Sequence, residues 1–238
     1  MNLFSKNYKV GLVVLSIIFI ALSIILHLNE NYFWYRLVRG IFCGIILIFL
    51  LMVQGKNVQK WIVGFLIFNG ASCITMAWFE DKLMASATMV LAFISYMMFF
   101  FYIIPKVKIS HFTKTFSLLF ILLLLFNGYL FIQFIEAMRD LTLSETQHNF
   151  TLISGITGSL LGFFALYQNH IFNTQQSMTF MFVVIMLIFS GIFRGIGYYD
   201  LIVGNIFVYL SRILYVLALS VLFHLSVLDL KTKTIKIL

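Results

Sequence analysis

Apolar residues fall into eight long runs, at about 10–28, 36–54, 61–79, 83–104, 115–137, 150–171, 177–197 and 201–228, separated by short polar segments. Each run approaches or exceeds the roughly 20 residues that, at about 1.5 Å per residue, carry a helix across a bilayer core. Acidic residues are confined to the outermost turns of these runs and to the connections between them. The pattern predicts an all-α fold: one polytopic membrane bundle of eight transmembrane helices over residues 1–238, with no room for an extramembrane module.

The polar segments alternate in kind. Lys6 and Lys9 precede the first run, Lys56 and Lys60 follow the second, Lys106, Lys108 and Lys114 follow the fourth, and Lys231, Lys233 and Lys236 follow the eighth. The opposite connections hold Glu30, Glu80, Asp81, Glu136, Asp140, Glu145 and Asp200. With eight crossings the lysines share one side, and the excess of basic residues on short cytoplasmic loops makes that side, and both termini, cytoplasmic. The first run has basic residues ahead of it, as a signal peptide does, but HLNENYFWY offers no small-residue cleavage site, so it reads as an uncleaved span. NYFWY and MAWFE set aromatic residues where an interfacial belt belongs. Gly40 and Gly44, Ser154, Gly158 and Gly162, and Gly191 and Gly195 are each four apart, a spacing that lets helix backbones approach. It suits packing within one chain at least as well as dimerisation. The connection from Arg139 to Asn149 is the longest and most charged, yet it carries no sign of a domain boundary.

Composition agrees. The chain is 62% hydrophobic and 10% charged, with 28 Phe and a single Pro, which no soluble domain matches. Its net charge of +8 would suggest nucleic acid in a soluble protein, but the lysine distribution makes it a topology signal instead. Cys43 and Cys73 lie inside apolar runs and read as small core residues. His27, His111, His148, His170 and His224 are scattered without metal-ligand spacing, so neither metal nor cofactor is expected. The runs hold no mid-span acid for a proton relay, no mid-span lysine for a Schiff base, and no Ser, His and Asp arrangement.

One residue does not belong in hydrocarbon. Arg212 stands twelve residues past Asp200, about 18 Å into the last run. Asn205, Tyr209 and Arg212 follow an i, i+4, i+7 spacing that puts them on one helical face, with Ser211 and Tyr215 beside it. An intramembrane charge must be covered by protein or water. Arg212 therefore either clamps backbone carbonyls and Tyr or Asn side chains, or meets a ligand. Asn69, Ser72, Cys73, Thr75, Asn127, Gln133 and Ser190 are its candidate cross-helix partners. Arg39, Arg194 and Arg212 enter their helices from one side at increasing depth, and a guanidinium donates bidentate bonds to phosphate. The sharp reading is an outward-facing pocket for an anionic lipid head group. The cheaper role for Arg36, Arg39 and Arg194 is to snorkel to the interface and pair with acids such as Glu30 or Asp200.

The layout resembles the eight-span lysoplasmalogenase-like membrane proteins. LVRGIFCGIILIFLL resembles that family's second span, with Arg39 and Gly40 at its Lys-Pro pair, and NGASCITMAWFEDKLM resembles the third, with Ser72 and Cys73 in place of Gly-Asp. AFISYMMFF keeps Tyr96 of the fourth but sets Phe93 or Ile94 at the family His. IFSGIFRGIGYY keeps Ser190 and puts Gly191 at the family Asp, while VYLSRILY aligns Tyr209, Ser211 and Arg212 with the last motif, Arg replacing Gln. The resemblance implies cleavage of a lysoplasmalogen vinyl ether into an aldehyde and a glycerophospho head group. That reaction begins with protonation of carbon and needs a positioned acid. The family aspartates and histidine are absent, and an arginine with a pKa above ~12 cannot replace them. The expectation is an integral protein of a cytoplasmic membrane, if bacterial, that binds a lysolipid or other anionic lipid without ordinary catalysis. The other roles open to it are a structural subunit, with Arg212 paired to an acid of a membrane-protein partner, and a small-solute transporter.

Overall fold

The structure is a computed structural model describing residues 4–106, 114–137, 139–198 and 204–237. Eight helices follow one another: α1 (Phe4–Leu28), α2 (Tyr32–Gln54), α3 (Lys60–Thr75), α4 (Lys82–Ile103), α5 (Lys114–Ala137), α6 (Glu145–Phe172), α7 (Gln175–Tyr198) and α8 (Gly204–Ile237). No strand occurs among the described residues. Local chemistry marks the ends. The Asp81 carboxylate accepts from the Met84 amide at 2.9 Å and the Ser144 hydroxyl from the Gln147 amide at 3.0 Å, two side-chain caps that start α4 and α6. Gly55, at φ 59°, ends α2, and Asn173, at φ 42°, ends α6.

Among the described residues seven of the helices, α1–α4 and α6–α8, are long and apolar enough to cross a membrane. In α5 the described apolar stretch is Leu124–Ala137. The predicted runs and the helices agree to within a few residues, with two differences. The helix of the third run stops at Thr75 and passes into a 3-10 turn over Met76–Trp78, and α8 continues through the lysine-rich segment to Ile237.

Packing closes a ring in the order α1, α2, α3, α4, α6, α7, α8 and back to α1, with α2 also touching α8 across it. α5 lies outside, against α6. Lipid tails are as apolar as leucine, so contact between these helices rests on close packing rather than on escape from water. Gly40 shows how close: a methyl group there would come within 2.6 Å of Ile74 and 3.2 Å of the Gly70 carbonyl, so α2 meets α3 through the missing side chain. Phe42, Ile46, Leu50, Phe65, Phe99, Phe180, Tyr215 and Phe223 fill the ring and are fully buried. The large apolar side chains left exposed, such as Val13 and Ile17 on α1 and Leu125 and Phe126 on α5, are where lipid would stand.

Candidate functional site

The site lies at the end of the ring where α1, α3 and α7 finish and α2 and α8 begin. Its cavity, of about 360 Å³, is lined by His27 from the last turn of α1, by Tyr35, Arg36 and Arg39 from α2, by Met76 after α3, by Arg194 and Tyr198 from α7, and by Ser211 and Arg212 from α8. Four of the chain's five arginines therefore face one space. No carboxylate lines it among the described residues.

Each guanidinium is held, and none is saturated. Arg212, 4% exposed, donates from Nη2 to the Tyr35 carbonyl at 2.7 Å and lies 4.2 Å over the Tyr35 ring. Arg39, 8% exposed, donates from Nη2 to the Ser190 hydroxyl at 3.2 Å and lies 3.7 Å over the Tyr215 ring. Arg194 Nη1 reaches the Met76 sulfur at 3.5 Å. Among the described residues Arg36 is the one with a counterion, Glu80, at 2.6 Å, and its guanidinium stands 5.4 Å from the Tyr198 ring centre. Arg39 Nε, Arg212 Nε and Arg212 Nη1 are buried without a hydrogen-bond partner among the described residues. A guanidinium brings five donors and no acceptor, so it cannot satisfy another guanidinium. Holding several such charges away from water is costly unless something anionic completes them.

A second layer fixes the first. Ser190 and Ser211 exchange hydrogen bonds, each hydroxyl donating to the other's carbonyl at 2.8 and 2.9 Å, which locks α7 to α8 while Ser190 accepts from Arg39. Tyr215, fully buried, accepts from Asn69 Nδ2 at 2.8 Å and contacts the Cys73 sulfur at 3.5 Å, so the ring beneath Arg39 is itself positioned. His27 packs edge-on against Tyr32, Tyr35 and Tyr209, and its Nδ1 pairs with the Tyr209 hydroxyl at 3.2 Å.

The cavity adjoins an apolar slot of about 140 Å³ that runs between α4, α6 and α7, with Phe131, Phe134 and Ile135 of α5 along its flank. Met76, Arg194 and Tyr198 line both spaces. The slot exists partly because side chains are missing. A methyl group on Gly195 would meet nothing within 4 Å, and one on Gly191 would lie 3.7 Å from the Tyr96 hydroxyl.

The residues expected from sequence divide accordingly. Arg39, Arg194 and Arg212 share the cavity, and Tyr96 lines the slot. Tyr209, Ser190 and Asn69 act one layer behind. Asn205 is exposed in the first turn of α8, and Ser72 donates to the Thr88 carbonyl at 2.9 Å, away from the arginines. The cross-helix side chains expected around Arg212 are not its partners, because a backbone carbonyl takes that role. Snorkelling describes Arg36 alone; Arg39 and Arg194 turn inward. Asp200 lies outside the described residues. Glu136, near the end of α5, is held by Arg139 at 3.0 Å and by His148 at 3.4 Å. Sequence reading passed over His27, Tyr35 and Met76. The available signal was position, since each ends or opens a helix on the same side as Arg39. No protein-family profile, no curated protein and no solved structure matches the chain.

Proposed function

We propose that the chain crosses the membrane eight times with both termini in the cytoplasm, and that it binds the anionic head group of a single-chain lipid from the non-cytoplasmic side. In this reading α5 is the fifth crossing, and the alternation of lysine-bearing and acid-bearing connections sets the orientation. The arginine cavity takes the head group and the adjoining slot takes the start of the tail, with Arg194 and Met76 at the passage between them. The observation that carries the reading is the set of buried guanidinium donors without partners among the described residues, in a cavity that no described carboxylate lines. Ligand sites elsewhere combine an apolar wall with a few convergent polar groups in the same way.

Vinyl ether cleavage, which the resemblance to lysoplasmalogenases implies, has no positioned carboxylic acid among the described residues of this cavity, so the function proposed is binding rather than turnover. The structural-subunit role would need Arg212 on the outer surface, within reach of a partner helix. Its burial inside the ring argues against that role.

The test is a binding measurement on the full chain in a neutral maltoside detergent, by native mass spectrometry with a single-chain anionic glycerophospholipid. One lipid should be retained per chain, and Arg39→Gln should weaken retention by about tenfold, the 1.4 kcal/mol of one lost charge-assisted bond. Incubated with a lysoplasmalogen, the protein should release no aldehyde. Equal retention by the wild type and by Arg39→Gln would refute the reading.

A further inference from the structure

The occupants of the cavity's aromatic faces restrict its ligand further. A choline or ethanolamine head group carries a cation beside its phosphate, and proteins receive such cations on aromatic faces or on carboxylates. Here the Tyr35 face is covered by Arg212 at 4.2 Å, the Tyr215 face by Arg39 at 3.7 Å, and Tyr198 has Arg36 at 5.4 Å. The one carboxylate bonded to the cluster among the described residues, Glu80, is already engaged by Arg36. Tyr32, His27 and Ser211 line the cavity without a guanidinium stacked on them, but an ammonium entering this space would still face four guanidinium charges and no free carboxylate among the described residues.

Resting on the lipid-binding reading above, we infer that the ligand is a terminal phosphate monoester, a dianion with no cation attached, and not a zwitterionic phosphodiester. Two features match it. Arg39, Arg194 and Arg212 have no carboxylate partner among the described residues, and a monoester brings a charge of about −1.5 to −2 at neutral pH against −1 for a diester. Three buried guanidinium nitrogens lack partners among the described residues, Arg39 Nε, Arg212 Nε and Arg212 Nη1, and a monoester presents three terminal oxygens as acceptors where a diester presents two. Arg194, half-buried and bonded only to a thioether among the described residues, has donors to spare at the mouth of the slot.

The experiment compares four probes on the full chain in maltoside micelles, by titration calorimetry at neutral pH: a lysophosphatidic acid, its methyl phosphodiester, the lysophosphatidylcholine with the same tail, and tail-less glycerol 3-phosphate. The monoester lipid should bind about tenfold tighter than the methyl diester, and the choline diester should bind weakest. Competition by millimolar glycerol 3-phosphate would identify the phosphate alone as the recognised group. Its failure at that concentration would assign recognition to the phosphate and tail together, with the monoester preference intact. Arg194→Gln, which among the described residues gives up only the weak contact to the Met76 thioether, should narrow the gap between monoester and methyl diester. Equal affinity for the choline diester and the monoester, both reduced in Arg39→Gln, would overturn the monoester inference and leave the lipid-binding reading standing. Binding of neither lipid would overturn both.

Discussion

The two ends of the ring bury comparable polar groups and resolve them in opposite ways. At the end away from the cavity, the buried Asp229 accepts from Gln59 Nε2 at 2.8 Å, Gln59 in turn accepts from the Trp61 indole, and Ser226 donates to Gln54 Oε1 at 2.9 Å. The Lys106 ammonium sits 3.2 Å from the Tyr102 ring centre. The atoms left over there are Gln54 Nε2, the Tyr102 hydroxyl and Gln168 Oε1, a neutral mixture of donors and an acceptor that single waters can satisfy. At the cavity end Gln147 Nε2, His148 Nδ1 and Ser154 Oγ are left over along the start of α6, but the leftover atoms of the residues lining the cavity itself are all guanidinium donors. No arrangement of water neutralises these guanidinium donors, so one end is a closed structural network and the other, in the function proposed above, is half of a binding site.

Substitution of the central residue at each end should separate these roles most widely. Arg212→Leu replaces an uncompensated buried charge with an apolar side chain of useful volume. Removing such a charge tends to stabilise a protein even where a hydrogen bond goes with it. The ligand-free variant should melt a few degrees higher than the wild type while its affinity for a lysophosphatidic acid falls about 100-fold, near 2.7 kcal/mol. Asp229→Leu should do the reverse. It strips the Gln59 amide of its acceptor, costing about 2 kcal/mol, which lowers Tm by roughly 4–8 °C and leaves affinity unchanged. Thermal shift and calorimetry on both variants check the contrast. A drop in Tm for Arg212→Leu as large as that for Asp229→Leu would mean that the two ends are built alike.

A smaller effect tests the slot against the cavity. Gly195 has open space where a side chain would project, so Gly195→Leu fills the slot without pushing the helices apart and also gains helix propensity, about 1 kcal/mol over glycine. Affinity for the tailed monoester should fall about tenfold while tail-less glycerol 3-phosphate is unaffected. Loss of both affinities would place the slot inside the head-group site.

Much of this was legible in the residues, and the parts that were not share a cause. Span limits could be read because charge and aromatic belts mark where hydrocarbon stops. The inward turn of Arg212 could be read because a guanidinium eight residues, or about 12 Å, beyond the start of α8 at Gly204 has nowhere else to go. Asn205 was misplaced because the helix begins at Gly204, which leaves it in the exposed first turn. The exclusion of α5 from the ring had no signal. Its apolar faces read like those of α1, and helix order in lipid is chosen by shape complementarity, which one chain's hydropathy does not record. The same holds for the anchor of Arg212, since a backbone carbonyl such as that of Tyr35 has no letter in the sequence.

The smallest effect runs against intuition and so discriminates well. Glu80 is the cluster's one described counterion, bonded to Arg36 and largely exposed, with 68% of its side chain open. An exposed pair of this kind contributes about 0–1 kcal/mol, so its loss should hardly change Tm. Its electrostatic effect on the cavity is less trivial, because the carboxylate offsets one of four positive charges that a ligand would meet. Glu80→Gln keeps the shape and a weaker acceptor while removing the negative charge. Affinity for a lysophosphatidic acid should therefore rise two- to threefold, a change of about 0.5 kcal/mol, and the gain should shrink as salt is raised toward 1 M, where the Debye length drops to about 3 Å. The matching substitution at another acid-bearing connection, Glu136→Gln, relieves Arg139 and His148, neither of which lines the cavity, and should leave affinity where it was. Weaker binding in Glu80→Gln would make Glu80 a ligand contact in its own right, and the cavity would then be a site for a zwitterion.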